Sequence, residues 1–177
     1  MEKFIELAKK RGSCRSFTDK PIEKELLLSC VEAASLAPSA CNSQPWRFTI
    51  VTDVAKRKEL AELTQDAGFN QWAEKAQAFI VVSEDAHPAL MPKVAERYGE
   101  KRFAEGDVGM ATAYLLLQAE ELGLGACVIG TFVETKVKRL LGISEADTVR
   151  AIIAMGYPAD APRPKKRKSV EEITRII

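Results

Sequence analysis

The chain has 177 residues, of which 46% are hydrophobic and 29% charged, a globular composition that argues against intrinsic disorder. A formal net charge of +1 excludes a general attraction to nucleic acid or anionic membranes, so a bound anion has to be held by a local basic cluster. Charges interrupt every apolar stretch of the N-terminus, so we expect neither a signal peptide nor a membrane span. Four scattered cysteines and a single histidine argue against a metal site and favour a cytoplasm with reduced thiols.

In the first half of the chain, hydrophobic periodicity predicts three helices and two strands. Apolar residues at helical spacing predict a helix over residues 2–10 and another between Pro21 and Pro38. The remaining elements of this half are a strand at 47–51, a charged helix at about 54–66 and a strand at 78–82. The last of these is a continuous apolar run, which is typical of a strand buried on both faces of a sheet.

The second half starts with a polar and aromatic segment at 84–104, which we interpret as a mobile excursion over a site. A long helix is predicted from Asp107 onward. Its stretch from Met110 to Leu122 is apolar nearly all round, which indicates a central or interface position. The last elements are a strand at 126–129, a short helix at 135–141 and a strand at 149–155. No repeat or linker is visible, so residues 1–177 are predicted to form one α+β domain.

Two basic clusters lie at opposite ends of the sequence. The turn Arg11-Gly12-Ser13-Cys14-Arg15 offers two guanidiniums and a hydroxyl, which suit a phosphate, although a solvated basic turn has the same composition. The run Lys165-Lys166-Arg167-Lys168 is typical of a solvated tail, with a nucleic-acid patch as the less common alternative. We also expect the tail after Pro158 to dock on another surface, because it is too polar and proline-rich to form a core of its own.

The loop from Pro38 to Trp46 carries short hydrogen-bonding side chains between two prolines that fix the backbone. Such a surface matches the donor and acceptor edge of a planar heterocycle, and a purely structural loop is the alternative. By contrast, the glycines of residues 123–130 do not form a dinucleotide fingerprint, because their spacing is wrong and they lead from helix to strand. Cys14 and Cys41 are interpreted as small packing residues rather than redox sensors, and His87 as an ordinary loop histidine.

The ordered set of motifs closely resembles the FMN-dependent nitroreductase family. The resemblance begins with Arg-x-Ser-x-Arg-x-Phe at residues 11–17 and continues with Ala-Pro-Ser-Ala-x-Asn-x-Gln-Pro-Trp-x-Phe at 37–48. It extends through Asp107, Leu115–Ala119, Gly123-Leu124-Gly125, Ile129-Gly130 and Gly156-Tyr157-Pro158. Each motif is weak alone, but the set spans essentially the whole chain. The resemblance implies a central, mostly antiparallel sheet flanked by helices, and a homodimer in which the C-terminal tail crosses onto the neighbouring subunit.

The resemblance also assigns a cofactor role to fourteen residues. Those implied at the FMN phosphate and ribityl end are Arg11, Gly12, Ser13, Arg15, Lys165 and Arg167. Those implied to come from the partner subunit onto the isoalloxazine ring are Pro38, Ser39, Ala40, Asn42 and Gln44. Those implied at the flavin's pyrimidine edge and near N5 are Asn70, Ile129 and Gly130. Gly12 departs from the family, which often has a second arginine there, so one phosphate contact is lost or is made by the backbone.

The implied activity is an oxidoreductase that takes hydride from NADPH or NADH and passes it to nitroaromatic, quinone or similar electron-poor acceptors by a ping-pong mechanism. No catalytic side chain is assigned, because the flavin carries the chemistry. The alternatives are an enone reductase or reductive dehalogenase on the same scaffold, and a non-catalytic protein that stores or senses flavin. The sequence does not identify the physiological acceptor.

Overall fold

The computed structural model describes residues 2–65 and 68–177. Its elements, in chain order, are α1 (Glu2–Lys10), α2 (Lys24–Ser35), β1 (Trp46–Val51), α3 (Val54–Leu63), β2 (Ala78–Glu84), α4 (Pro92–Tyr98), α5 (Ala104–Glu121), β3 (Gly125–Ile129), α6 (Glu134–Leu141), β4 (Thr148–Gly156) and α7 (Val170–Ile173). Short 3-10 turns lie at Ala40–Asn42 and Gln71–Lys75. No helix of the described ranges combines the length and the apolar character that crossing a membrane requires.

The four strands form one sheet in the order β1-β2-β4-β3, and every neighbouring pair is antiparallel. Helices cover both faces of this sheet. On one face α2 and α5 pack against it, and on the other face α3 and α6 do so. This arrangement of helices around an antiparallel sheet confirms the predicted α+β fold.

The central strand β2 has a continuous apolar sequence because helices cover both faces of the sheet. Ile80 and Val82 point into the core beneath α2 and α5, whereas Phe79 and Val81 point into the core beneath α3 and α6. All seven residues of the strand are buried. Burial of each such apolar side chain stabilises the fold by about 1.5–3 kcal/mol relative to its exposure. The prediction of a strand buried on both faces is confirmed.

The segment 84–104 contains a helix that the hydrophobic pattern did not reveal. Helix α4 begins with Pro92 at its first position and ends at Gly99, whose φ of 86° stops the helix. Only Val94 and Ala95 of this helix are even half-buried, so the pattern carries no apolar stripe. The long helix α5 then begins at Ala104 rather than at Asp107, and α3 ends at Leu63 rather than at about 66.

Among the surfaces that expose apolar side chains are one face of α5 and the C-terminal tail. One face of α5 packs against α2 and the sheet, whereas Met110, Ala113 and Tyr114 on its other face are exposed. The tail after Pro158 is exposed along its whole length, and its final residues Ile176 and Ile177 are 93% and 105% exposed. Within a single chain the tail contacts the N-terminal segment through Lys165, described below, and through the Ala159 amide, which donates to the Ser16 carbonyl at 3.1 Å.

Candidate functional site

The two basic clusters meet in one cavity of about 410 Å³. Its walls come from residues 10–16 at the end of α1 and from the proline-rich segment 158–167 near the C-terminus. Arg11, Arg15 and Arg167 line it together with Lys165, and the acidic residues Glu120 and Asp160 line it as well. More than 140 positions of sequence separate the two clusters, yet the fold brings their positive charges to one place.

The segment Arg11–Phe17 lies against the ends of two strands because glycines leave room for it. A parallel bridge joins Ser13 to Ala126, and the amide of Cys14 donates to the Ala126 carbonyl at 3.0 Å. A side chain at Gly125 would lie 2.6 Å from the sulfur of Cys14. At Gly156 a side chain would lie 2.7 Å from the ring of Phe17. The basic turn is thus fixed to the sheet rather than left as a solvated loop.

Lys165 connects the tail to the C-terminal end of α1. Its Nζ donates to the Arg11 carbonyl at 2.7 Å and also to the Lys9 carbonyl. The last carbonyls of a helix have no partner within it and carry partial negative charge, so a lysine placed there stabilises the end of α1. Loss of hydration, reinforced by the positive charges of Arg11 and Arg167, lowers the pKa of Lys165 from its ordinary value.

Arg15 is held by an aromatic side chain that the sequence analysis did not include in the site. Its guanidinium lies 5.9 Å from the ring centre of Trp72, and Trp72 in turn lies 6.3 Å from Phe17. A cation placed over an aromatic face in this way gains about 0.5–2 kcal/mol. Trp72 is far from Arg15 in the sequence, so their proximity depends on tertiary structure.

The loop that carries Pro38, Ser39 and Ala40 does not line the cavity. Its backbone is strained, because Cys41, Asn42 and Gln44 have φ values of 52°, 53° and 46°. Such left-handed conformations cost of order 1–3 kcal/mol for residues other than glycine and persist where the surroundings enforce them. The Ser39 hydroxyl accepts a hydrogen bond from the Gln44 amide at 3.0 Å and closes the loop on itself.

A buried carboxylate anchors this loop to the long helix. Oδ2 of Asp107, in the first turn of α5, accepts a hydrogen bond from the Ala40 amide at 3.0 Å. Asp107 is only 4% exposed, and the neighbouring Ser43 hydroxyl is buried without a partner among the described residues. The sequence analysis places Asp107 at the start of the long helix and within the family resemblance but assigns it no anchoring role. A buried acid that begins an apolar helix is the signal that indicates its anchoring role.

Asn70, like Ile129 and Gly130, does not line the basic cavity. It also has a left-handed backbone, with φ of 54°. Its Nδ2 donates to the Thr64 carbonyl and to the Thr131 hydroxyl, both at 2.9 Å. These bonds place Asn70 beside the end of β3, where Ile129 is buried and Gly130 is exposed. Since both amide hydrogens are used, its Oδ1 is the atom that remains to accept a bond from a ligand.

The cysteine thiols are free, and the described residues hold no group of acids, histidines or cysteines that suits a metal ion. Burial raises the pKa of Cys14, although its bond to the Ser16 carbonyl and the nearby Arg15 act in the opposite direction. Burial likewise raises the pKa of Cys127 in β3, against the lowering effect of Arg15 and of a bond to Ser13. Neither thiol therefore has the lowered pKa of a reactive cysteine.

Comparison with known proteins agrees with this architecture. The Nitroreductase family model matches residues 8–157. The putative NADH dehydrogenase/NAD(P)H nitroreductase of Archaeoglobus fulgidus is 34% identical, over 90% of this chain and 88% of its own. The crystal structure of a nitroreductase family protein from Streptococcus pneumoniae TIGR4 superposes with a TM-score of 0.89 at 28% identity, over 98% of this chain and all of its own.

A third relative was solved with a nicotinamide nucleotide bound. It is the NADPH:FMN oxidoreductase of Vibrio harveyi in complex with NAD⁺, which superposes with a TM-score of 0.81 at 27% identity. The alignment covers 97% of this chain and 76% of that one. The extent of the family match, the identity to curated relatives and the shared fold together decide the assignment. This chain belongs to the nitroreductase family.

Proposed function

We propose that this chain takes hydride from NAD(P)H onto bound FMN and passes it to nitroaromatic, quinone or similar electron-poor acceptors by a ping-pong mechanism. The reaction class follows from the family: the chain is an FMN-dependent NAD(P)H oxidoreductase, as the names of its relatives specify. The observation that supports the cofactor most directly is the cavity in which the N-terminal and C-terminal basic clusters meet.

The residues of this cavity fit a phosphate monoester. The guanidiniums of Arg11, Arg15 and Arg167 offer planar pairs of N–H donors, which match phosphate oxygens and form bonds about twice as strong as neutral ones. The exposed hydroxyl of Ser13 adds a further donor. Lys165 contributes its charge to the same wall while its Nζ holds the end of α1, so its role is electrostatic and structural together.

The strained positions support the assignment of the flavin ring. Among the described residues, left-handed φ values outside glycine occur only at Cys41, Asn42, Gln44 and Asn70, and three of these four are residues that the resemblance assigns to FMN. Preorganised strain of this kind clusters at ligand sites. We place Oδ1 of Asn70 opposite a ring N–H at the pyrimidine edge, and the exposed backbone of Gly130 near N5.

The protein's part in the reaction is to bind and orient. FMN, when bound, supplies the two-electron chemistry that accepts a hydride from a reduced nicotinamide and delivers it to an acceptor. Arg11 and Arg15 would hold the phosphate of FMN, and Asn70 would orient the edge of its ring. Gly130 leaves space on the ring side, because a side chain there would meet no atom within 4 Å. No side chain is assigned as a proton donor.

The active unit in this proposal is a homodimer. Following the family resemblance, we assign the loop with Ser39 and Ala40 to the flavin of the partner subunit; this loop does not line the cavity of its own chain. In this dimer, the second copy covers the exposed apolar face of α5 at Met110 and Tyr114. It also covers the exposed tail. Analytical ultracentrifugation of the FMN-loaded protein tests this, and a monomer at micromolar concentration would contradict it.

A cytoplasmic location is also part of the proposal, because all four cysteines are free. The test of the activity is spectroscopic. The protein is purified with its native cofactor, made anaerobic and mixed with NADPH or NADH. We expect a flavin spectrum that bleaches on addition of the nucleotide and recovers on addition of a nitroaromatic. A colourless protein that does not take up added FMN would refute the proposal.

The same titration separates the remaining alternatives. Recovery with an enone but with no nitroaromatic or quinone would identify an enone reductase, and recovery with a halogenated phenol that releases halide would identify a reductive dehalogenase. A bound flavin that neither nucleotide reduces would favour a protein that stores or senses flavin.

A further inference from the structure

The junction between α4 and α5 carries a cationic and aromatic surface that the proposed flavin site does not use. Tyr98 at the end of α4 and Phe103 before α5 pack edge to face, with ring centres 6.1 Å apart. The guanidinium of Arg97 lies 5.6 Å from the Tyr98 ring centre, and that of Arg102 lies 5.9 Å from the Phe103 ring centre. We call these four residues the α4–α5 surface.

Among the described residues, the two arginines of this surface have no anionic partner. In the part of the chain that the structure describes, no carboxylate lies within ion-pair distance of Arg97 or Arg102, and neither guanidinium donates a hydrogen bond. Glu100, which lies between the two arginines in the sequence, instead faces His87 at 3.7 Å. Both guanidiniums therefore stand exposed with their donors available, and an exposed tyrosine ring lies between the two ends of the surface.

The α4–α5 surface is connected to the loop assigned to the flavin ring. Phe103 immediately precedes α5, and its carbonyl accepts the hydrogen bond of the Asp107 amide at 3.0 Å. The side chain of the same Asp107 holds the Ala40 amide. One turn of helix thus separates the cationic surface from the strained loop.

We propose that the α4–α5 surface binds the adenosine 2′-phosphate of NADPH and thereby makes this enzyme prefer NADPH to NADH. This inference rests on the proposed function. A 2′-phosphate is a dianion with three acceptor oxygens, which two unpaired guanidiniums recognise, whereas NADH presents only a hydroxyl there. The exposed face of Tyr98 suits the adjacent adenine, because a planar base stacks on an aromatic ring. The basic cavity is excluded as the site, since FMN already occupies it in the proposed enzyme.

Steady-state kinetics of the FMN-loaded enzyme test the proposal. We expect the wild-type kcat/KM to be higher for NADPH than for NADH by about tenfold or more. Arg97→Ala and Arg102→Ala should each lower the kcat/KM for NADPH about tenfold and leave that for NADH within about twofold, since each removes a charge-assisted contact to the phosphate. Arg139→Ala on α6, an exposed arginine far from this surface in sequence, is the matched control and should leave both values unchanged.

A binding measurement that does not depend on turnover accompanies the kinetics. Calorimetry should detect adenosine 2′,5′-bisphosphate binding to the FMN-loaded wild type more tightly than 5′-AMP, with that difference lost in the double variant. Equal kcat/KM for the two nucleotides in the wild type, or equal losses for both in the variants, would overturn the proposal while the oxidoreductase activity stands. Variants that lose turnover of 4-nitrobenzoate but not of a neutral nitroaromatic would also overturn it and assign the surface to acidic acceptors. An FMN-loaded enzyme that neither nucleotide reduces would instead refute the proposed function.

Discussion

Gly125 and Gly156 lie directly opposite each other in the register of β3 and β4. Because neither has a side chain, together they leave the space into which the segment of the basic turn packs. Cys14 rests on the first glycine and Phe17 on the second. The position of Arg11 and Arg15 is therefore set by the absence of two side chains in the sheet. This relationship explains why the turn is rigid enough to serve as one wall of a ligand cavity.

Replacement of Gly125 by alanine should destabilise the protein by about 1–3 kcal/mol, because the new methyl group would overlap Cys14 and the two backbones would have to separate. The affinity for FMN should fall as well, since the same movement shifts Arg15. Urea denaturation measures the first effect and fluorescence titration the second. Val128→Thr, an exposed position of the same strand, is the control and should change stability by less than about 0.5 kcal/mol. Wild-type stability in Gly125→Ala would contradict the packing argument.

Asp107→Ala should destabilise the protein by about 1–3 kcal/mol, because it removes the only acceptor recorded for the Ala40 amide among the described residues. The strained loop at residues 41–44 should become mobile, which amide hydrogen exchange at Ala40 would detect as faster exchange. Asp107→Asn keeps an acceptor oxygen and should restore most of the loss. Glu121→Gln, an exposed acid of the same helix, serves as the control. Unchanged exchange at Ala40 in the alanine variant would show that the loop is held by other contacts.

Arg167→Ala should weaken FMN binding about tenfold, because a guanidinium in the cavity wall is lost. The adjacent Lys168 does not line the cavity, so Lys168→Ala should weaken binding less than about twofold. Quenching of FMN fluorescence measures both dissociation constants at fixed ionic strength. Equal effects of the two substitutions would mean that the basic tail attracts the cofactor only through its overall charge.

The stability of the protein should fall at alkaline pH in a way that depends on Cys30. Burial in the core beneath α2 raises the pKa of this thiol to about 11, from an ordinary value of 9.0. In the unfolded chain the thiol ionises first, so its contribution to stability is present below about pH 9 and is lost as the pH rises towards 11. The difference in unfolding free energy between wild type and Cys30→Ala should therefore be constant near neutral pH and shrink in this window. Plots of unfolding free energy against pH that run parallel for the two proteins over the whole range would contradict this prediction.

Residues that pack within one element were predictable from the sequence, and those that act through tertiary contacts were not. The run at 78–82 predicted a strand buried on both faces because every one of its side chains is apolar, and this can be read from the local sequence alone. Helix α4 escaped prediction because its few apolar residues, such as Val94, are only half-buried and leave no periodic stripe. The partner of Arg15, Trp72, lies 57 positions later in the chain, and nothing local marks the pair.

The site shows the same division. That Arg11 and Lys165 approach one ligand was implied by the resemblance alone, since no periodicity relates residues so far apart. In the structure Arg11 and Lys165 lie together. Lys165 also caps the C-terminal end of α1, a role that neither the sequence pattern nor the resemblance implied. The left-handed backbone at Asn42 and Asn70 agrees with the tolerance of asparagine for this conformation, whereas that at Cys41 and Gln44 has no such sequence signal.

Because the cavity is built from residues 10–16 and 158–167, its second wall is synthesised after the sheet. All four strands and the first six helices end before residue 158, so the sheet can form while the second wall is still missing. A chain that ended before residue 158 would have all four strands and the first six helices but an open groove in place of the cavity. In the proposed enzyme, retention of a phosphate-bearing ligand would then distinguish chains that include residues 158–167 from chains that end before them, a difference that a stability measurement on the core alone would not detect.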